Sequence, residues 1–356
     1  MVSGAGPTLR LPYLYFVGDG VPYNAYPVRA GGFITGPNTE FSPLAFQVID
    51  RYGAPVTNLP VLFSVTSGGG RIVAADRTTD RTGIAAVDVK LGPALGDQYF
   101  TATIPNGPSV IFDGYARNFP AINSNGVTDA ATFQVGQGLA PGSYITIKGT
   151  DLADATQVES TASLPVSLSG VSVSFDGGSL SLPGHLHFVS PGQINVQVPW
   201  EFQGQSSVKL KVNAGYLLSS VYTVPLATYS PGIFEYSDNG RKSAVAQDAG
   251  FNLITQANPA KRGQGIVLYC NGLGPVSNQP ASGEASPAGP LAKANGTATV
   301  TIGGANAQVD FAGMTPGTIG LYQVNVTVPA NAPTGNQQIV VSIGGVSSQI
   351  SSIAVQ

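Results

Sequence analysis

The chain has 356 residues, 46 of them glycine and 27 proline, with 10% charged residues and a formal net charge of −3. Sixteen Lys and Arg, nowhere clustered, exclude the concentrated basic footprint that a nucleic-acid partner requires, and one cysteine excludes an internal disulfide framework. The length allows two or three domains with cores of their own, and the low charge leaves Ser, Thr, Asn, Gln and Gly to cover much of the surface, as in exported β proteins.

Short apolar runs alternate with Gly, Pro and Asn turns along the whole chain, and no long stretch has helical periodicity. The expectation is an all-β chain of sandwiches. The opening segment lacks the charged and apolar regions of a secretory leader, and no run is long enough to span a bilayer. Given the composition, a mature or trimmed exported chain is expected, extracellular or at the cell surface and without membrane insertion.

Residues 1–36 open the chain. "LRLPYLYFVGDGVPYNAYPV" at 9–28 is rich in aromatics, with Tyr13, Tyr15, Phe16, Tyr23 and Tyr26. It reads either as the first strand of the amino-terminal sandwich or as an assembly arm that adds to a sheet edge of a neighbouring copy. Residues 37–117 form the next segment, with strand-like runs divided by turns at "RYGAP", "SGGG" and "DRTG".

Residues 118–228 and 229–356 say nearly the same thing twice. "QINVQVPW" at 193–200 returns as "QVNVTVP" at 323–329, with Ile194, Val196 and Val198 on one face and Val324, Val326 and Val328 likewise. Pro199 and Pro329 end the two strands. "GSYITIKGTDL" at 142–152 answers to "GQGIVLYCNGL" at 263–273, "GVSVSFDGG" at 170–178 to "ATVTIGG" at 298–304, "SPGQ" at 190–193 to "TPGT" at 315–318, and "SSVKLKVNAG" at 206–215 to "QQIVVSIGG" at 337–345. Two tandem modules of similar fold follow, making three sandwiches in all.

The run "VIDRYGAPV", "VLFSVTSGGG", "TTDRTGIAAVDVKLG" and "GDQYFTATI" resembles the group 1 bacterial immunoglobulin-like domains of invasin and intimin adhesins. That resemblance implies a seven-stranded sandwich serving as a rigid spacer. Residues 120–356, through "NSNGVTDAATF", "LAPGSYITIKGTDLA", "FVSPGQINVQVPW", "YSPGIF" and "GLYQVNVTVP", resemble an IPT/TIG-related immunoglobulin-like carboxy-terminal module of exported acidobacterial proteins. It implies a fold and carries no activity to any residue.

Little chemistry is visible. "HLH" at 185–187 would place both histidines on one strand face, but a zinc site needs a third ligand and none is suggested by spacing. Asp151, Asp154 and Glu159 lack the dense oxygen pattern of a calcium loop and read as a solvated turn. The glycine runs lead into strands rather than helices, so they lack the basis of a phosphate loop. Cys270 shares a strand face with Ile266 and Leu268 and reads as a core residue. No catalytic, metal or cofactor residue is assigned. Trp200, the only tryptophan, has Ala330 at the equivalent place of the second copy; it is either an interdomain contact or an exposed platform for a ligand.

The expectation is a non-enzymatic structural or adhesive protein, a surface stalk or a self-assembling filament subunit, partnered by copies of itself or by a cell-surface or matrix component. The alternative is a carbohydrate- or ligand-binding accessory module, for which exposed aromatics such as Trp200 or Tyr216 would speak.

Overall fold

The structure is a computed structural model and describes residues 18–238 and 240–356. Every regular element in it is a strand except one turn of 3-10 helix at Trp200–Phe202, as the alternating pattern requires. The chain divides into two compact units, Met1–Asn118 and Phe119–Gln356.

The first unit is a sandwich of two four-stranded sheets. One has the order Asn24–Arg29, Glu40–Ile49, Ile84–Lys90, Arg71–Ala75; the other Gly32–Thr35, Ser109–Ala116, Gly96–Thr103, Leu62–Val65. Strict alternation of burial along Ser109–Ala116 sends Val110, Phe112 and Ala116 inward, where they meet Leu44, Phe46 and Phe100. Each such fully buried side chain contributes about 1.5–3 kcal/mol. Strands Asn24–Arg29 and Gly32–Thr35 precede residue 37, and each joins one of the two sheets of this sandwich. Tyr26 belongs to the first of these strands and pairs with Gln47 of the same sheet; Tyr23 donates its backbone amide to the Ile49 carbonyl at 2.9 Å. These two residues are therefore part of the chain's own sheet rather than of a free arm. Tyr13, Tyr15 and Phe16 lie outside the described residues.

The second unit holds two sandwiches, each with its own core, and their registers repeat. Tyr144–Thr150 pairs with Gln193–Gln197 so that Ile145 faces Val196 and Ile147 faces Ile194. In the second copy Gly265–Asn271 pairs with Tyr322–Thr327, with Ile266 facing Val326 and Leu268 facing Val324. Small details repeat too. The Gln193 side-chain amide donates to Asn195 Oδ1 at 2.9 Å and Gln323 does the same to Asn325. Ser219 Oγ accepts the Val212 amide, and Ser348 Oγ that of Val341. Both copies also carry a β-bulge opposite the repeated strand. It falls between Leu186 and Phe188 in the first copy and between Val309 and Phe311 in the second. The extra residues are His187 and Asp310. Cys270 is buried in the second core beside Leu268, and burial pushes its thiol pKa up.

Candidate functional site

Because the two copies share registers and hydrogen bonds, positions where they differ are those the fold itself does not dictate. Three stand out: Trp200 against Ala330, Tyr144 against Gly265, and His187 against Asp310. All three face the second copy.

Trp200 opens the 3-10 turn behind Pro199 and is only 2% exposed. Its indole joins the core of the second repeat. Gly142, held at φ +85, lies flat against the ring, where any Cβ would overlap it. The Trp200 amide donates to Ser282 Oγ at 2.9 Å, and that hydroxyl donates to Glu201 Oε2 at 2.8 Å. The exposed-platform reading of Trp200 is thereby corrected: the ring spans two sandwiches and offers no face to solvent. Tyr216, by contrast, is exposed.

A second clasp is polar. Asp129, 4% exposed, accepts the Ala131 and Thr132 amides on Oδ1 and the Asn271 side-chain amide on Oδ2 at 2.6 Å. Asn271 also donates to the Tyr144 carbonyl at 2.8 Å and accepts the Tyr144 amide at 3.2 Å. Burial raises the Asp129 pKa, against the lowering effect of these hydrogen bonds. A third clasp centres on Gly283, whose amide donates to Gln197 Oε1 at 2.7 Å and whose carbonyl accepts the Leu164 amide at 2.8 Å. The His185 ring closes over Gly283, with Nδ1 3.1 Å from the Leu164 carbonyl oxygen.

Beside these clasps a groove of about 430 Å³ opens between the repeats. The first copy supplies Tyr144, His187, Asn195 and the Glu159–Thr161 loop; the second supplies Phe234, Thr318 and Leu321. The bulge gives His187 its orientation, since an extra residue re-aims the side chain at that point of a strand. The two histidines consequently part: His185 packs on Gly283, while the His187 ring meets Tyr144 at 5.7 Å between centroids. Glu159 accepts the Ser160 and Thr161 amides at 2.9 Å each. The Thr161 amide chiefly holds its carboxyl below the usual range, and nearby His187 adds to this. Burial pushes the Tyr144 phenol up, so its hydroxyl stays protonated. Past Phe234, Thr318 and Leu321 the groove continues into a second hollow of about 440 Å³, floored by Val245 and Tyr269.

Among the described residues no three His, Cys, Asp or Glu side chains converge in a way that could hold a metal ion. Asp151 and Asp154 are not in the groove lining, whereas Glu159, read from sequence as part of a solvated turn, is. Sequence reasoning missed Asp129, Tyr144, Phe234 and Asn271. The departure of Tyr144 from Gly265 was the available signal.

The architecture is one of tandem immunoglobulin-like β-sandwiches. No family model matches the chain. Solved structures similar to it include the carboxy-terminal 282-residue fragment of intimin, bound to the intimin-binding domain of its translocated receptor, at 12% identity and TM-score 0.34 over 60% of this chain and 66% of the fragment. The Escherichia coli adhesin FdeC matches at 12% identity and TM-score 0.22 over 90% of this chain and 93% of its own. Invasin, a bacterial integrin-binding protein, matches at 15% identity and TM-score 0.22 over 94% and 60%. The likeness is to bacterial immunoglobulin-like domains of the invasin and intimin type, and it is one of fold.

Proposed function

We propose that the chain is a non-enzymatic, extracellular structural and adhesive protein, a cell-surface stalk whose second unit acts as one stiff body. The observation that carries this reading is the seating of Trp200 of one repeat in the core of the next, backed by the Asp129–Asn271 and Gly283 clasps. A flexible pair of beads needs none of these; a rod that transmits force does. The partner is a surface or matrix component. Beads coated with the full chain are expected to adhere to cells or matrix above the level of beads coated with an unrelated immunoglobulin sandwich. Equal adhesion would count against the reading.

Self-assembly into a filament is the finer form of this proposal, motivated by the aromatic amino-terminal segment. Since Tyr23 and Tyr26 are engaged in the chain's own sheet, an arm is confined to the stretch holding Tyr13, Tyr15 and Phe16. Deleting residues 1–17 is therefore the clean test, because a longer deletion also removes a sheet strand. Ordered fibres in electron micrographs of the full chain, lost on this deletion, are expected of a polymer subunit; unchanged fibres would exclude the arm.

A further inference from the structure

We infer that the groove between the two repeats is a binding site for a short neutral oligosaccharide, a ligand class that deepens the adhesive reading by giving it a chemical target. Three observations meet there.

The first is an inventory of unspent polar groups. The Tyr144 hydroxyl, the His187 ring nitrogens and the Asn195 side-chain nitrogen line the groove, and none has a hydrogen bond within the described residues. Asn195 spends its oxygen on Thr146 Oγ1 and Gln193 Nε2, which fixes the amide so that its nitrogen is the free end. The Tyr144 ring is half-buried while its hydroxyl opens on the groove, where a ligand hydroxyl can take the place of water as its partner. The groove thus offers donors, acceptors and groups that can be either. A polyol presents the same mixture at nearly every carbon, whereas a peptide backbone presents one donor and one acceptor per residue.

The second is charge. Glu159 is the only formally charged side chain in either hollow, and no Lys or Arg lines them. An anionic ligand would meet the Glu159 carboxylate with no Lys or Arg to offset it, which disfavours phosphorylated or acidic sugars and favours neutral ones.

The third is the run of rings. Tyr144 and His187 stand at one end, Phe234 lies where the two hollows join and Tyr269 lies beyond it. Sugar rings stack their C–H faces on aromatic side chains while their hydroxyls point to the flanks, and pockets of this volume suit ligands of several rings. Neither Tyr144 nor His187 is retained at the equivalent positions of the second repeat, where Gly265 and Asp310 stand. The sandwich does not need them, and the groove uses both.

The test is titration calorimetry of the full chain with cellohexaose, mannohexaose and chitohexaose, and with hexagalacturonate as the anionic comparison. At least one neutral hexasaccharide is expected to bind, and the acidic one not. Phe234→Ala is expected to weaken binding roughly tenfold, as for loss of a stacking partner. Tyr144→Phe, which keeps the ring and the packing, is expected to weaken it by a smaller factor at an unchanged melting temperature. Silence with all three neutral sugars at millimolar concentration would overturn the inference. So would preference for the acidic sugar, binding unmoved by both substitutions, or capture of a proline-rich peptide in place of any sugar. A chain that binds no sugar and still adheres to cells would overturn this inference alone and leave the adhesive reading standing.

Discussion

Asp129 is a carboxylate placed where water cannot reach it, and its two oxygens have different tasks. Oδ1 holds the local turn through the Ala131 and Thr132 amides, and Oδ2 takes the Asn271 amide from the next repeat. Asp129→Asn would keep the turn but set one amide group against another at Asn271, leaving a buried donor unpaired. A loss of about 1–3 kcal/mol is expected by denaturant unfolding. The pH dependence has a definite sign. Burial raises the folded-state pKa above the unfolded value of 3.8, so the folded chain binds the extra proton between those two values. The Asp129 contribution to stability is then fully present below 3.8 and declines as pH rises toward the folded pKa. The stability gap between wild type and Asp129→Asn should narrow over that window; a gap widening with pH would refute the assignment of the shift to burial. Nothing in the sequence near Asp129 announced this role, because its partner lies 142 residues away in another sandwich.

At the scale of elements, the strand built on Ile194, Val196 and Val198 was legible, since apolar alternation with period two and a terminal proline leaves one assignment. Its twin at Val324, Val326 and Val328 was legible for the same reason, and the two registers agree residue for residue. The bulge at His187 was not. One extra residue alters the facing of a side chain without altering composition, so "HLH" reads as two histidines on one face although the strand separates them. The start of the first sandwich stayed open between a strand and an arm, because the strand Asn24–Arg29 is short, exposed along most of its length and lacks a clean alternation. The turn at Gly142 permits a prediction at this scale. Its φ of +85 and its contact with Trp200 both forbid a side chain. Gly142→Ala should lower stability by more than the ~1 kcal/mol of an ordinary glycine replacement, measured by the melting temperature of the full chain. Gly263→Ala, at φ +74 with open space around it, supplies the strain without the collision. The difference between the two variants reports the collision alone.

For the molecule as a whole, duplication and asymmetry divide the labour. Shared positions make two sandwiches, and unshared ones decide whether those sandwiches move separately. Trp200 is the largest unshared side chain at the junction, and Ala330 at the matching site of the second copy could not fill the same space. Removing the indole would leave a cavity in the second core while the first core, built around Phe175, Phe202 and Val198, stays filled. Trp200→Ala is therefore expected to cost about 3–5 kcal/mol, and to cost it unevenly. In the wild-type chain, hydrogen exchange of the strands Tyr144–Thr150 and Gly265–Asn271 should be limited by one shared opening, because neither core can open without breaking the Trp200 and Asp129 clasps. In Trp200→Ala, exchange in Gly265–Asn271 should speed up markedly while Tyr144–Thr150 changes less, giving two openings in place of one. Equal acceleration in both strands would mean that the repeats unfold together without the tryptophan. The polar clasps at Asp129 and Gly283 would then be sufficient, and the stiffness of the second unit would rest on hydrogen bonds between loops rather than on a side chain shared by two cores.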